Sequence, residues 1–345
     1  MNISIGARTD IGGRDNNEDC LAVLDRERVS MRADAVLVIA DGMGGRANGE
    51  EASAIAVKVV RETLMDLLNP STEHRLPPAE EMLATAMRRA NSAIYDLAQE
   101  FPETDGMGTT CIAALVSEGI FTLAHVGDSR AYLIRDNTIQ PITSDHTYVA
   151  DQVRAGNMSA EAAKTSRFRN VITRAIGISP TVEPDFETIS LLDTDTILLC
   201  TDGLSNTLDE SQILGVVSPN ETVQGATNAL IECAKAHGVR DNVTVIAVRI
   251  ASDVVSSRFQ RSQSLIDGIK PDAAARISTG EHVENSGQGI VAKDPATSPD
   301  HARNRRPLFV DMLSLIFGIA IGIGLVYLFA QMGDLPHWFF HSLSK

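Results

Sequence analysis

Short apolar runs that each meet an aspartate constrain this chain more than any other feature. Residues 36–40 (VLVIA) run into Asp41-Gly42, 122–127 (TLAHVG) into Asp128-Ser129-Arg130, and 196–201 (TILLCT) into Asp202-Gly203. Asp241-Asn242 precedes VTVIAV at 243–248, and Glu18-Asp19 opens CLAVL at 20–24. Runs this rich in Val, Ile and Thr, bounded by Gly, Asp or Asn, read as strands. Residues 3–8, 109–116 and 130–135 read the same way. Helical patterns cover 49–68, 79–99 and 223–236. The stretch 118–142 reads as a meander with Asp136-Asn137 as a hairpin turn. Strands grouped with strands and helices in pairs predict layered α+β architecture, not a doubly wound sheet.

A single Asp-Gly after a strand is ordinary turn punctuation. Its recurrence asks for another reason. Each strand holds its end rigidly at the border with solvent, and several ends can converge at one rim of a sheet. Carboxylates brought together raise one another's pKa unless a cation neutralises them. Hard oxygen ligands without a Cys/His cluster favour Mg²⁺ or Mn²⁺ over zinc. Glycine beside an aspartate lets a backbone carbonyl approach the ion too. Paired ions of this kind serve in-line attack on phosphate esters.

Other chemistries fit poorly. The formal net charge of -15 argues against non-specific nucleic-acid binding, which needs a basic patch. The four cysteines, Cys20, Cys111, Cys200 and Cys233, form no CxxC pair and read as buried free thiols in a reducing compartment. Gly42-Met43-Gly44-Gly45 lacks the Gly-Lys-Ser/Thr of a phosphate-binding P-loop, and no GxSxG is present. His125 and His146 read as structural.

The C-terminal part has a different composition. Residues 253–307 are polar and lack apolar periodicity, which predicts a flexible linker with a span of ~40 Å. Residues 312–330 carry no charge, and about 19 helical residues reach ~28 Å, close to a bilayer's hydrocarbon thickness. The expected organisation is a folded body at 1–252, the linker at 253–307, a transmembrane helix at 308–331 and a short extracytoplasmic tail at 332–345. Arg303, Arg305 and Arg306 precede the span, so the positive-inside bias puts the body in the cytoplasm, on the inner membrane. Gly318 and Gly322 form a GxxxG step that permits close helix packing and a weak dimer.

Eight segments, in order, resemble the metal-dependent Ser/Thr protein phosphatases of the 2C type in their bacterial form. They are TDIGGRDNNEDC, VIADGMGGRANGEEAS, GMGTTCIAAL, AHVGDSRAYLIR, TSDHTYV, NVITRAIG, LLCTDGLSN and RDNVTVIAVRI. The resemblance implies a four-layer αββα sandwich with a two-ion Mn²⁺ or Mg²⁺ centre at one end. It implies that Asp41 bridges the ions, that Gly42 offers its carbonyl, and that Asp202 and Asp241 hold the second ion. Asp128 matches a position linked to a third, weaker ion. Glu18 and Asp19 match ligands acting through water. Arg14 matches the residue that grips the substrate phosphate.

The implied activity is hydrolysis of phosphoserine and phosphothreonine on proteins, opposing a cognate Ser/Thr kinase near the membrane. Where the eukaryotic branch has a histidine proposed as general acid, this chain has Met43, so the leaving-group proton has no assigned donor. Residues 147–170 correspond to a mobile flap. There Arg154, Lys164, Arg167 and Arg169 would make a steering surface for phosphorylated segments. The alternative is a non-catalytic phosphoprotein-binding scaffold on the same fold. Its mark would be a lost metal-core aspartate, and Asp41, Asp202 and Asp241 are all present.

Overall fold

The computed structural model describes residues 2–26, 31–44, 48–69, 71 and 75–250. Two antiparallel sheets form its centre. The first runs in the order β1 (Ile3–Asp10), β11 (Val243–Ile250), β10 (Thr196–Cys200), β7 (Arg130–Arg135) and β8 (Thr138–Pro141). The second runs β2 (Asp19–Asp25), β3 (Ala35–Met43), β5 (Cys111–Ser117), β6 (Ile120–Val126) and β9 (Asp185–Ser190), with the short β4 (Gly108–Thr109) paired to the end of β3.

Alternation along the strands divides the side chains between layers. Leu37 and Ile39 of β3, Ile112 and Ala114 of β5, and Ile197, Leu199, Ile246 and Val248 of the other sheet fill the space between the sheets. Their neighbours Val36, Val38 and Ala40 face outward, where α1 (Asn48–Leu67) and α2 (Ala79–Glu100) cover them with Ala52, Ala56, Val60, Leu83 and Met87. On the other sheet Leu198, Cys200, Val245 and Ala247 meet α6 (Glu210–Val217) and α7 (Val223–Ala236) through Ile213, Leu230 and Ile231. Strands covered on both faces read as continuous apolar runs, and those are the ones the sequence announces. The layers agree with the expected α+β sandwich of two antiparallel sheets flanked by helices.

Local chemistry fixes the joints. Asp136 and Asn137 adopt φ of 50° and 56° and join β7 to β8, as the sequence predicts. Glu118-Gly119, with φ of 51° and 79°, makes the equivalent turn between β5 and β6. Helix α6 starts with a capping box: Asp209 accepts from the Gln212 amide while the Gln212 side chain accepts from the Asp209 amide.

Elements missed by the sequence reading are exposed or short. Edge strand β9 lacks a buried face, and so does the helix α4 (Ala160–Thr165); α3 (Tyr148–Arg154) buries Val149 alone. Among the described residues no helix is long and apolar enough to cross a membrane. The linker, the 308–331 span and the tail lie outside the described residues.

The layer between the sheets should dominate stability. Leu37 is fully buried there, so Leu37→Ala should cost about 3 kcal/mol. Urea unfolding should show a lower midpoint with an unchanged slope.

Candidate metal centre

The register of β2 against β3 sets Asp19 directly opposite Asp41. The sequence places Asp41 at the end of its strand, but β3 continues through it to Met43, because Gly42 and Met43 pair with Thr109 and Gly108. Asp41 therefore sits within a ladder whose outer partner changes from β5 to β4. Thr110, at that break, holds it: its hydroxyl accepts from the Asp41 amide at 2.9 Å, and its amide donates to the Asp41 carbonyl at 2.9 Å. The Thr109 hydroxyl donates to the same carbonyl at 2.8 Å. Thr110 and Ser129 hydroxyls meet at 2.8 Å, which ties Asp41 to the Asp128-Ser129 turn.

Asp19 joins the two sheets. Its Oδ2 accepts from the hydroxyls of Thr201 at 2.9 Å and Thr244 at 2.7 Å, both from the opposite sheet. Its Oδ1 is buried with no hydrogen-bond partner. Asp202 follows β10 but belongs to the first turn of a four-residue helix, α5 (Asp202–Ser205). One of its oxygens accepts from Asn206, and the other is buried and unpartnered. Asp241 precedes β11 and takes a 2.8 Å ion pair from Arg14. Glu18 packs its carboxyl against Gly49 at the start of α1, and its carbonyl accepts from the Gly42 amide at 3.0 Å. A Cβ on Gly42 would lie 1.9 Å from the Gly49 carbonyl oxygen, so both glycines are required by this contact.

The carboxylates feel one another. Burial, then the charges of Asp19, Asp202, Asp128 and Asp241, raise Asp41 well above the usual carboxylate range. Burial raises Asp19 to about 7 against the pull of its two threonine hydroxyls, with Asp202 and Asp241 adding to the rise. Asp128 is pushed to about 7 by burial and by Asp202 and Asp145, and Asp202 to about 6 by burial and Asp241. Burial likewise raises Glu18. Asp41 lies deep among protein atoms yet remains partly open to solvent.

The donor set fits hard divalent cations. Two buried carboxylate oxygens lack partners, and five aspartates share one field with no cysteine or histidine among them. Among the described residues no three His, Cys, Asp or Glu side chains close into a finished cage. Mg²⁺ and Mn²⁺ do not require one: the smaller ion keeps several waters and takes only one or two carboxylates. A water-rich site leaves its carboxylates spaced apart, with oxygens such as Asp19 Oδ1 and Asp202 Oδ1 free of protein partners.

The structure thus brings Arg14, Glu18, Asp19, Asp41, Gly42, Asp128, Asp202 and Asp241 to one end of the sandwich. The sequence reading missed the hydroxyl and amide groups that hold them: Thr109, Thr110, Ser129, Thr201, Thr244 and Asn242. For Ser129, Thr201, Thr244 and Asn242 the signal available was their position beside an aspartate motif, as in GDS, CTDG and DNVT; Thr109 and Thr110, in GTTC, had none.

The two histidines are buried side by side. His146 accepts from the Gly127 amide at 3.1 Å and faces Asp185 at 3.1 Å, with His125 stacked at 4.6 Å. In the 147–170 segment, Lys164, Arg167 and Arg169 are exposed. Arg154 is exposed as well, and its guanidinium is hydrogen-bonded to Asp151, Ser144 and the Asp145 carbonyl.

Fold and rim together define a β-sandwich metal-dependent phosphohydrolase. The protein phosphatase 2C family matches residues 13–243, and this chain belongs to that family. The serine/threonine phosphatase Stp of Listeria welshimeri is 32% identical over 242 residues, covering 70% of this chain and 93% of the relative. The serine/threonine protein phosphatase PstP of Mycobacterium tuberculosis is 35% identical over 266 residues, 76% of this chain and 47% of that protein. The catalytic domain of a serine/threonine protein phosphatase PstP, solved with two manganese ions, superposes with a TM-score of 0.62 at 33% identity, covering 72% of this chain and 99% of that one.

If the rim holds cations, they should stabilise the fold. Saturating Mn²⁺, at about a hundredfold excess over Kd, should raise the melting temperature by roughly 5–10 °C. Asp202→Asn should shrink that gain. A melting temperature indifferent to Mn²⁺ in the unaltered chain would remove the metal reading.

Proposed function

We propose that the chain is a protein-serine/threonine phosphatase that hydrolyses phosphomonoesters on proteins by direct attack of water. The observation that carries this is the aspartate rim, with its orphaned oxygens and one arginine at its mouth. When bound, two Mn²⁺ or Mg²⁺ ions supply Lewis-acid charge against the phosphoryl oxygens and lower the pKa of water. Asp41, central among the carboxylates, would hold such ions together with the Gly42 carbonyl, Asp202 and Asp241, Asp128 would serve a further, weaker one, and Glu18 and Asp19 would act through water.

Arg14 is half-exposed and presents a planar guanidinium where the phosphate must sit, a geometry suited to bidentate contact. Water is the nucleophile on this reading because the hydroxyls around the rim are committed. Thr110, Ser129, Thr201 and Thr244 are buried and hydrogen-bonded. The oxygen of water bonds to phosphorus, the bond from phosphorus to the serine or threonine oxygen breaks, and that oxygen takes a proton. Met43 cannot donate it.

The test is release of inorganic phosphate from a phosphothreonine protein with and without Mn²⁺. Asp41→Asn should reduce the Mn²⁺-dependent rate at least about a hundredfold while the circular dichroism stays native. Full activity in this variant would refute the assignment. Phosphoprotein binding without any release by the unaltered chain would favour the scaffold reading.

The same reading puts the enzyme at the inner membrane, its body in the cytoplasm, opposing a Ser/Thr kinase there. Support comes from the uncharged run at 312–330 and the arginines that precede it. The full chain should sediment with membranes and resist carbonate extraction, and truncation after residue 307 should release it. A full chain that stays in the supernatant would sink the anchor.

A further inference from the structure

The loop that carries Arg14 (residues 11–17, between β1 and β2) has few apolar contacts of its own. Arg14, Asp15 and Asn16 are exposed. Yet an arginine that grips phosphate has to be held in one place, since binding energy is wasted if the side chain must be ordered each time. The holding group is Asn242, next to Asp241 and only 4% exposed.

Its side chain spends all its obvious hydrogen-bonding capacity on this one loop. Nδ2 donates to the Ile11 carbonyl at 2.9 Å and to the Asn16 carbonyl at 2.8 Å, the two ends of the loop's arch. Oδ1 accepts from the Glu18 amide at 2.8 Å, where the loop enters β2. Arg14 lies between these anchor points, and its amide turns back to the Ile11 carbonyl at 3.3 Å. The loop is also pressed flat on the same segment. A Cβ on Gly12, where φ is +58°, would lie 1.9 Å from the Asp241 carbonyl oxygen.

We infer that Asn242 is a positioning residue for substrate binding, fixing the Arg14 loop at the distance from the aspartate rim that a phosphate monoester requires. It touches neither substrate nor ion and acts through Arg14. This rests on the phosphatase reading above. Its chemistry is specific to an amide: two carbonyls need two N–H donors and one N–H needs an acceptor, and no other side chain of this length supplies that set. Asn242→Ala would leave two buried or half-buried carbonyls and one amide to find water, and the arch would loosen without loss of any ligand.

The test is a double-mutant cycle of Arg14→Ala and Asn242→Ala, with Mn²⁺ and a phosphothreonine peptide. Asn242→Ala should raise KM about tenfold and change kcat less than about threefold. In the Arg14→Ala background it should add less than about twofold, because the residue it positions is gone. Equal factors in both backgrounds would overturn the proposal, as would an unmoved KM. Calorimetric Mn²⁺ affinity should stay within about twofold of the unaltered protein; a tenfold loss would place the effect on Asp241 and overturn it.

Hydrogen exchange of the metal-free protein gives a readout independent of activity. Protection across residues 11–18 should fall in Asn242→Ala while that of β3 and α1 holds. If the alanine variant does not fold, Asn242→Ser serves, because its short hydroxyl cannot reach both carbonyls. No Mn²⁺-dependent release by the unaltered chain would fail the phosphatase reading itself. Loss of the coupling in an active enzyme fails this inference alone.

Discussion

Like charges held together are the constraint on which the rest of this structure depends. Five aspartates share one field; three of them are pushed to about 6 or 7, and Asp41 is raised well above the usual carboxylate range. A pliable scaffold would let them part. The two apolar faces packed between the sheets, with Leu37, Ile39, Ile197 and Ile246, prevent this by fixing the strands that carry them. Each carboxylate is then steered by a second group from a different element. Asp19 is fastened across the sandwich by Thr201 and Thr244, and Asp41 is fastened along its own sheet by Thr109 and Thr110. Rigidity and repulsion are therefore linked: the packed interior supplies the stability that an incompletely neutralised rim removes.

Charge at the rim also explains why the cationic groups there are few and exposed. Arg14 pairs with Asp241 through a side chain about half open to solvent. A buried guanidinium in that place would neutralise the aspartates and compete with the ions. Arg130, half-buried, is instead occupied by a two-point contact with Asp145 at 2.9 and 2.8 Å. The geometry leaves the Arg14 pair open to solvent and encloses the Arg130 pair more deeply.

Much of this was legible in the sequence, and the illegible part has a physical reason. Strands buried on both faces, such as β3 and β11, announce themselves as Val- and Ile-rich runs. Strand β9, DFETIS, has neither a buried face nor strict alternation, so its pairing with β6 comes from tertiary context alone. The aspartates were found because they recur beside strands. Their exact settings were not: Asp41 lies inside a ladder extended by β4, and Asp202 opens a helical turn. The anchors Thr244 and Asn242 stayed hidden because a lone Thr or Asn in a strand or loop has many ordinary uses. Only the fold shows that Thr244 reaches Asp19 and Asn242 reaches Ile11, partners more than two hundred positions away.

The pairing of β1 with β11 joins nearly the first described residue to the last, Ile3 against Ile250. Such contacts are slow to find, because the intervening chain must be brought to a close before they reward it. During synthesis β1 leaves the ribosome first and waits, edge unpaired, until β11 follows. Asp241 and Asn242 arrive with β11. A ribosome-bound chain therefore has Asp19, Asp41 and the Arg14 loop but neither Asp241 nor the loop's anchor Asn242. Completion of the domain and completion of the aspartate rim become one event.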